Sequence, residues 1–510
     1  MTAPDSLQGM NVVLFITDQE RAIQHFPPDW ADRNMPGAKR LAENGLTFQR
    51  AFCSAAMCSP SRATLLTGYF PAQHGVKWTL EDDMTSSANP QQALPLNLPN
   101  LATVMKACGY STPYRGKFHL SKPPKPGFYT PEDVNQYGFE GWDSPDAGAN
   151  QDTDQFGGGY ANHDGRYMTW DGSAEYGQQG VLAYLRSRPA DSQPFFLTVS
   201  LVNPHDVLAY PNTAYYYGYT PEWVQGEIGL PGTQDEDLRK SKPSAQNQFL
   251  QMTNSPKGLG PLNQQQMIDY INFYGNLMIE SDKYLQQIIA ALEDRGLLDN
   301  TLIIKTSDHG EMGLAHGGLR QKNFNMYEET LRVPLIFSNP GLWGQGRQRV
   351  SSAMVSHVDF LPTMAGLFNA PDSARAGWQG VDYSQVILNP SAEPPQDYTV
   401  FTYDDYQSGQ LNPPYPFPNN HIVSLREQRY KIARYYHDKS DPPFDSPFPL
   451  PDGGSLIPDE WEMYDLETDP SESVNLAHGD NRTPEQEAEY IRLQAKLAEV
   501  ERTRLQPLPQ

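Results

Sequence analysis

The sequence predicts an α/β fold: a large, mostly parallel central sheet flanked by helices, followed by a smaller C-terminal α+β domain. Short, continuous apolar runs alternate with segments of helical periodicity up to about residue 369, an order typical of parallel sheets covered by helices. Polar residues follow these runs directly, at the strand ends where open α/β sheets bind ligands. We therefore expect a main domain over residues 1–375 and, over residues 376–510, a smaller domain with an antiparallel sheet and a terminal helix.

The predicted strands are apolar runs that end in a turn or a polar residue: Asn11–Thr17, Phe195–Val202, Thr301–Thr306, Val333–Ser338 and, in the second domain, the strand-like Arg429–Arg434. The predicted helices end close to a glycine or at the C-terminus: Pro36–Asn44, Leu101–Ala107, Gln265–Glu293 and about Glu485–Leu505. Stretches rich in aromatic residues, proline and glycine, at about 120–190, 207–262 and 403–460, fit neither pattern. They could shape a substrate pocket or the interface of a homo-oligomer, and the sequence leaves both open.

Size, charge and cysteine content narrow the class of protein. A chain of 510 residues can bury a large core. Its net charge of −23 repels nucleic acid, anionic membranes and anionic polymers, so no nucleic-acid or membrane partner is expected. Three cysteines do not make a disulfide framework. The segment Met1–Gln8 lacks the basic and apolar stretches of a signal peptide, and a cytoplasmic protein is expected.

A short motif beginning at Cys58 carries the strongest chemical signal. Pro60 suits the first turn of a helix, where a missing N–H costs nothing, and Ser61–Leu66 can continue that helix. Cys58 would lie just before the helix start, where backbone N–H groups and the helix dipole favour negative charge. A thiolate, a deprotonated aldehyde hydrate or an oxyanion ester at this position would be stabilised there.

The string Cys58–Arg62, followed by Thr67 and Gly68, resembles the signature of the formylglycine-dependent type I sulfatases, which belong to the alkaline phosphatase-like superfamily. The resemblance implies that Cys58 is oxidised to formylglycine by a formylglycine-generating enzyme, and that Arg62 supplies positive charge beside it. Cys53 lies five residues earlier, but the motif does not continue after it. We therefore expect Cys53 to be a core residue.

Metal ligands are predicted at the ends of two strands. Asp18, Asp308 and His309 each follow a buried strand, and carboxylate oxygens with an imidazole can hold a divalent cation. The resemblance implies that these residues, with residue 58, bind one metal ion. Gln19 is a further candidate ligand, although many sulfatases carry aspartate there and asparagine in place of His309. Fewer carboxylates leave both Ca²⁺ and Mn²⁺ open.

Four more residues match catalytic positions of the family. Lys117 and His119 lie in a glycine-lysine-aromatic-histidine segment, where the resemblance implies a lysine on sulfate and a histidine that takes a proton. His205 and Lys322 match the pair that faces the leaving-group oxygen. His316 and His357 have no assigned role, and we expect them in loops or behind the site.

The resemblance implies hydrolysis of small aryl or alkyl sulfate monoesters. One hydroxyl of hydrated formylglycine would attack sulfur, and the other would lose its proton to His119 so that sulfate leaves as the aldehyde re-forms. A serine could attack, but its sulfate ester would have no such exit. The nearer alternative is a phosphonate monoester or phosphodiester hydrolase, which Gln19 and His309 fit well. The farther alternative is a non-catalytic binding protein with a relic site.

Overall fold

The structure is a computed structural model. It describes residues 6–508 except 23–24, 82–90, 124–127, 149–161, 172–178, 190–191, 212–217, 257, 376, 390, 408–415, 439–457 and 480–481. Among the described residues, no helix has both the length and the apolar character needed to cross a membrane.

A seven-stranded sheet forms the centre of the main domain, and its spatial order is β4-β5-β1-β6-β7-β2-β8. The strands up to β8 are β1 Asn11–Asp18, β2 Gly45–Phe52, β3 Ala55–Ala56, β4 Tyr114–Gly116, β5 Phe196–Pro204, β6 Thr301–Ser307, β7 Leu335–Ser338 and β8 Arg349–Ser356. All neighbouring pairs in this sheet are parallel except those of β7, which runs antiparallel to both β6 and β2. The predicted mostly parallel sheet is confirmed.

Helices cover both faces of this sheet. The α-helices with at least seven described residues are α1 Pro36–Glu43, α2 Cys58–Thr67, α3 Leu101–Ala107, α4 His163–Thr169, α5 Val181–Ser187, α6 Ser244–Thr253, α7 Gln264–Asp294, α8 Phe360–Leu367 and α9 Pro484–Arg504. Side chains alternate between the two faces of a strand, so Val13 packs in one apolar cluster with Leu285 of α7, and Leu14 packs in another with Leu66 of α2. Burial on both faces explains why β1 is a continuous apolar run.

The second sheet has the order β12-β11-β10-β9-β3. Its later strands are β9 Tyr398–Tyr403, β10 His421–Glu427, β11 Tyr430–Tyr436 and β12 Glu460–Asp465, which pair antiparallel and pack against α9. The edge strand β3 comes from the main domain and pairs parallel with β9 through Ala55 and Ala56. The second sheet therefore contacts the main domain through residues that lie just before Cys58 in the sequence.

Most predicted elements occur with shifts of one or two residues. The helix of the cysteine motif begins at Cys58 itself, so Cys58 is the first helical residue and does not precede the helix. Val333 lies outside β7, which begins at Leu335. The predicted strand in the second domain begins one residue later and continues to Tyr436.

The register of the central sheet brings distant polar residues together. Thr17 pairs with Ser307, so the following Asp18 and Asp308 leave adjacent parallel strands side by side. Asp18 also pairs with Pro204, which places His205 at the same edge. This edge is where the strands' carboxyl ends meet, as expected for a ligand site in an α/β sheet.

Candidate active site

The side chain at position 58 lies at the N-terminus of a wholly buried helix. All residues of α2 are buried, and Gly68 ends the helix in a left-handed conformation, with its N–H donating to the Thr64 carbonyl. Burial, together with the Asp18 charge, raises the pKa of the Cys58 thiol to about 11 against the opposing effect of Lys117. This shift opposes a thiolate at position 58, because burial disfavours the charged form. An unmodified Cys58 is a poor nucleophile at neutral pH.

Four buried side chains converge in a cluster that could hold a divalent cation. Ligand atoms of Asp18, Cys58, Asp308 and His309 all lie within 4.8 Å of one another. The Cys58 Sγ is 3.2 Å from His309 Nε2 and 3.7 Å from Asp18 Oδ1. His309 Nδ1 lies 3.0 Å from the Gly310 carbonyl, which can only accept a hydrogen bond, so the lone pair of a neutral imidazole is on Nε2, towards the cluster. Two carboxylates and this nitrogen fit a divalent metal ion.

Arg62 and Lys117 neutralise the two carboxylates. Arg62 donates from Nε to Asp308 Oδ2 at 2.9 Å and from Nη2 to Asp18 Oδ2 at 3.1 Å. Lys117 Nζ lies 2.7 Å from the same Asp18 oxygen, so that Asp18 Oδ1 faces Cys58 and His309. Burial opposes ionisation of Asp18, but the neighbouring cations Lys117 and Arg62 help to outweigh it and hold its pKa well below the usual range. The site therefore keeps its charges although it is buried.

His119 has the tautomer and the protonation state of a proton acceptor. Its Nε2 lies 2.5 Å from the Leu80 carbonyl oxygen, so Nε2 carries the hydrogen and Nδ1 has a lone pair. Burial first, and then the charges of Lys117 and Arg62, lower the pKa of His119 well below its usual range. The imidazole is therefore neutral and can take a proton at Nδ1.

The loop that carries Lys117 and His119 is held tightly. Gly116 has φ of 101°, and an added Cβ would lie 1.9 Å from the Ser200 carbonyl oxygen, so only glycine fits there. The buried Asp146 accepts hydrogen bonds from the backbone N–H groups of Phe118 at 2.8 Å and His119 at 2.7 Å. These contacts hold His119 at a φ of 58°, which is unusual for a residue other than glycine.

Lys322 and His205 are buried and interact electrostatically with residues of the cluster. Lys322 Nζ donates to Gln19 Oε1 at 2.7 Å, and the Gln19 amide nitrogen donates to Glu311 at 2.5 Å. Burial lowers the pKa of His205 well below its usual range. The negative charge of Asp18 opposes this shift, and the positive charge of Lys117 adds to it. The structure thus brings all the predicted catalytic residues into one buried region. It also shows Gln19 in contact with Lys322.

Several residues at the site were not predicted from the sequence. Asp146, Glu311, Leu80 and Ser200 contact predicted residues but belong to no motif that we used. Of these four residues, only Glu311 could have been suspected from the sequence, because it closely follows the predicted ligands Asp308 and His309.

His316, His357 and Cys53 lie in buried positions. Cys53 is a buried core residue, as predicted. His357 contacts Ser61, whose hydroxyl donates to the Asp308 carbonyl, and therefore lies behind the site. His316, Glu329 and Glu472 form a second group of potential metal ligands. Lys431 already forms an ion pair with Glu472, so a lysine side chain supplies the positive charge at this group.

Buried neutral histidines predict that the fold loses stability in acid. Val76 N–H donates to His74 Nδ1, and burial lowers the pKa of His74 to about 3. The unfolded chain binds this proton near pH 6.5, so the stabilisation is complete above that pH and is lost as the pH falls towards 3. We expect the free energy of unfolding to fall between pH 7 and 5, with a slope that His74→Asn reduces by up to about 1.4 kcal/mol per pH unit.

Urea unfolding at several pH values measures this slope. The exposed His478 is the matched control, and His478→Asn should leave the slope unchanged. Equal slopes for the parent protein and His74→Asn would contradict the assignment.

The fold and the site define a class: an α/β protein with a mostly parallel central sheet, whose cluster of carboxylates, imidazole and cations suits a tetrahedral anionic ester. The family model described as Sulfatase matches residues 10–370, most of the chain. The chain belongs to the sulfatase family, and its reaction is the hydrolysis of sulfate esters. Sulfatases generally use a metal ion and formylglycine.

Named relatives cover most of the chain. An ulvan-active sulfatase of Formosa agariphila is 26% identical over 427 residues, covering 83% of this chain and 72% of that protein. Human arylsulfatase A is 27% identical over 462 residues, covering 87% of this chain and 78% of that protein. The solved phosphonate monoester hydrolase of Agrobacterium radiobacter is 19% identical, covers 96% of each chain and has a TM-score of 0.63, so it shares the fold.

Proposed function

We propose that this sulfatase hydrolyses small aryl or alkyl sulfate monoesters with formylglycine, formed from Cys58, as its nucleophile and with one divalent metal ion, Ca²⁺ or Mn²⁺. The observation that carries the proposal is the position of residue 58. Its side chain lies within 3.7 Å of Asp18 and His309, at the N-terminus of a buried helix. A formylglycine-generating enzyme is the partner that maturation requires.

Asp18, Asp308, His309 and residue 58 would hold the metal ion. When bound there, the ion would supply positive charge against the sulfate oxygens and lower the pKa of a hydroxyl at position 58. Hydrated formylglycine would provide both the attacking hydroxyl and the second hydroxyl needed for release of sulfate. Lys117 adds a fixed positive charge beside Asp18, and Arg62 keeps both carboxylates in place.

The chain provides separate groups for the two proton transfers. His119 is neutral with an accepting Nδ1, so it can take the proton from the second hydroxyl at position 58. On the leaving-group side, burial keeps His205 neutral, and Lys322 Nζ donates to Gln19 Oε1 at 2.7 Å. We assign protonation of the leaving oxygen to Lys322 acting with His205.

The proposed substrates are small because of the charge on the whole protein. A net charge of −23 opposes the approach of a sulfated polymer, whereas a single sulfate ester meets the local cations Lys117 and Lys322. Phosphonate monoesters are the second candidate class, which Gln19 and His309 favour. Lys117 and His119 favour sulfate, because they supply both the cation and the base.

A comparison of matched esters tests the substrate class. We expect kcat/KM for 4-nitrophenyl sulfate to exceed that for 4-nitrophenyl phenylphosphonate on one preparation of known aldehyde content. Because one cationic site can stabilise both anions, a rate on either ester alone decides nothing. A higher kcat/KM for the phosphonate would refute the sulfate proposal. A sulfated polysaccharide that outcompetes the small sulfate would refute the size argument.

A further inference from the structure

A fully buried carboxylate lies behind Lys322, and the reaction proposed above gives it no role. Glu311 accepts hydrogen bonds from Gln19 Nε2 at 2.5 Å, Tyr270 OH at 2.8 Å, Gly313 N at 3.1 Å and Gln321 N at 2.9 Å. Each of these contacts comes from a donor, so both carboxylate oxygens act as acceptors. Glu311 is therefore fixed at a single orientation in the core.

This carboxylate determines which way the Gln19 amide points. A side-chain amide donates from its nitrogen and accepts at its oxygen. Because Glu311 can only accept, the Gln19 nitrogen turns towards it, and the oxygen faces Lys322 Nζ at 2.7 Å. A reversed amide would place its oxygen against a carboxylate and its N–H groups against an ammonium.

A second contact leads from Glu311 to the same lysine. The Gln321 N–H donates to Glu311, and Gln321 Oε1 lies 3.4 Å from Lys322 Nζ. In the described part of the chain, Lys322 forms no ion pair with a carboxylate, so its charge is held by two neutral amide oxygens. This arrangement positions the ammonium through hydrogen bonds.

The long helix α7 holds this arrangement in place. Tyr270 donates to the Glu311 carboxylate. Tyr274, one turn later, donates to the backbone carbonyl oxygen of Gln19 at 2.7 Å. Burial first, and then the Glu311 charge, raise the pKa of Tyr270 well above its usual range, so its hydroxyl remains a donor. Side chains on one rigid helix thus fix both ends of the Gln19–Glu311 pair.

We propose that Glu311 is a positioning residue, which orients the Gln19 amide and thereby directs Lys322 towards the leaving group. The proposal rests on the proposed function, because it assigns a proton donor for that reaction. It predicts an effect that depends on the leaving group. An activated phenolate leaves without a proton, whereas a basic phenolate needs one.

The first test is Glu311→Gln. The new amide keeps an oxygen towards Tyr270, Gly313 and Gln321 and presents its NH₂ to Gln19, so the Gln19 amide reverses and faces Lys322 with N–H groups. We expect kcat/KM for phenyl sulfate to fall about 10²-fold, and that for 4-nitrophenyl sulfate to fall less than tenfold. An equal fall on both substrates would overturn the proposal.

The second test exchanges the two side chains. In the double variant Gln19→Glu with Glu311→Gln, a carboxylate at position 19 accepts from both Lys322 and the amide at position 311, with the total charge unchanged. We expect the leaving-group dependence to return to within about threefold of the parent value. A double variant no better than Glu311→Gln would overturn the proposal. If Glu311→Gln does not fold, Gln19→Met removes the same acceptor and should show the same selective loss.

Glu462, in the second sheet, offers a matched control. This buried carboxylate of β12 accepts from Gln246 Nε2 at 3.0 Å, Tyr435 OH at 2.8 Å and Tyr464 OH at 2.7 Å, the donor types that surround Glu311. Glu462→Gln should lower Tm without changing the leaving-group dependence. If it changes that dependence as much as Glu311→Gln does, general destabilisation explains both and the proposal is wrong.

The series should be run on aryl sulfates and on matched phenylphosphonates. A parent protein that prefers phosphonates would refute the substrate class of the proposed function. The role of Glu311 is decided separately, by the leaving-group dependence on whichever ester class the parent hydrolyses faster.

Discussion

Cys58→Ala should reduce turnover of 4-nitrophenyl sulfate by at least about 10³-fold and leave the fold intact. The variant removes one sulfur atom at a helix N-terminus, and the helix backbone and the Arg62 contacts with Asp18 and Asp308 do not depend on it. The nucleophile itself is lost. Cys58→Ser keeps a hydroxyl but has no second one, so at most one equivalent of phenol should be released. Steady-state and burst kinetics measure the two effects.

Peptide mass spectrometry connects this loss to formylglycine. In a host with a formylglycine-generating system, the peptide containing residue 58 should carry an aldehyde or its hydrate, in proportion to activity. Cys53→Ala is the matched control: it also removes a buried thiol, five residues earlier, and should cost stability but not turnover. A fully active preparation that contains only thiol at position 58 would end the formylglycine proposal, because turnover would then not need the aldehyde.

The sequence predicted the strands that are long apolar runs and missed most of the others, including the buried β4, β9 and β10. β1, β5 and β6 are apolar on both faces, and a continuous apolar run is visible without knowledge of the partner strand. β8 carries exposed and partly exposed residues, and the two-residue β3 exists only because β9 pairs with it. The antiparallel direction of β7 depends on its neighbours in space, which no local pattern records.

The site was predictable where its residues lie in motifs at strand or helix ends. Asp18, Cys58 and Asp308 converge because the sheet register and α2 bring these chain ends together. Asp146 and Glu311 were not predicted as site residues, because each acts through hydrogen bonds to distant residues. A lone acidic residue in a loop is normally exposed, so its sequence position alone does not indicate burial behind a site.

Asp18→Asn should abolish both metal binding and activity, with a loss of kcat/KM of about 10²–10³-fold or more. The change is nearly isosteric but removes the negative charge that faces Cys58 and His309 and that pairs with Lys117 and Arg62. Without that charge two buried cations share Asp308 alone, and a cation at the site is repelled. Breaking one partner of a buried ion pair costs about 3–5 kcal/mol, so Tm should fall too.

Metal content by mass spectrometry and the rise in Tm on adding Ca²⁺ or Mn²⁺ separate metal loss from general destabilisation. Asp282→Asn is the matched control, because Asp282 is a buried carboxylate on α7 that accepts from the N–H groups of Gly37 and Ala38 at 2.8 and 2.7 Å, away from the cluster. It should lower Tm but keep the metal-dependent rise, since the ligands are untouched. Metal binding that is unchanged in Asp18→Asn would show that the cation lies elsewhere. Activity that is retained in that variant without bound metal would remove the metal from the proposed mechanism.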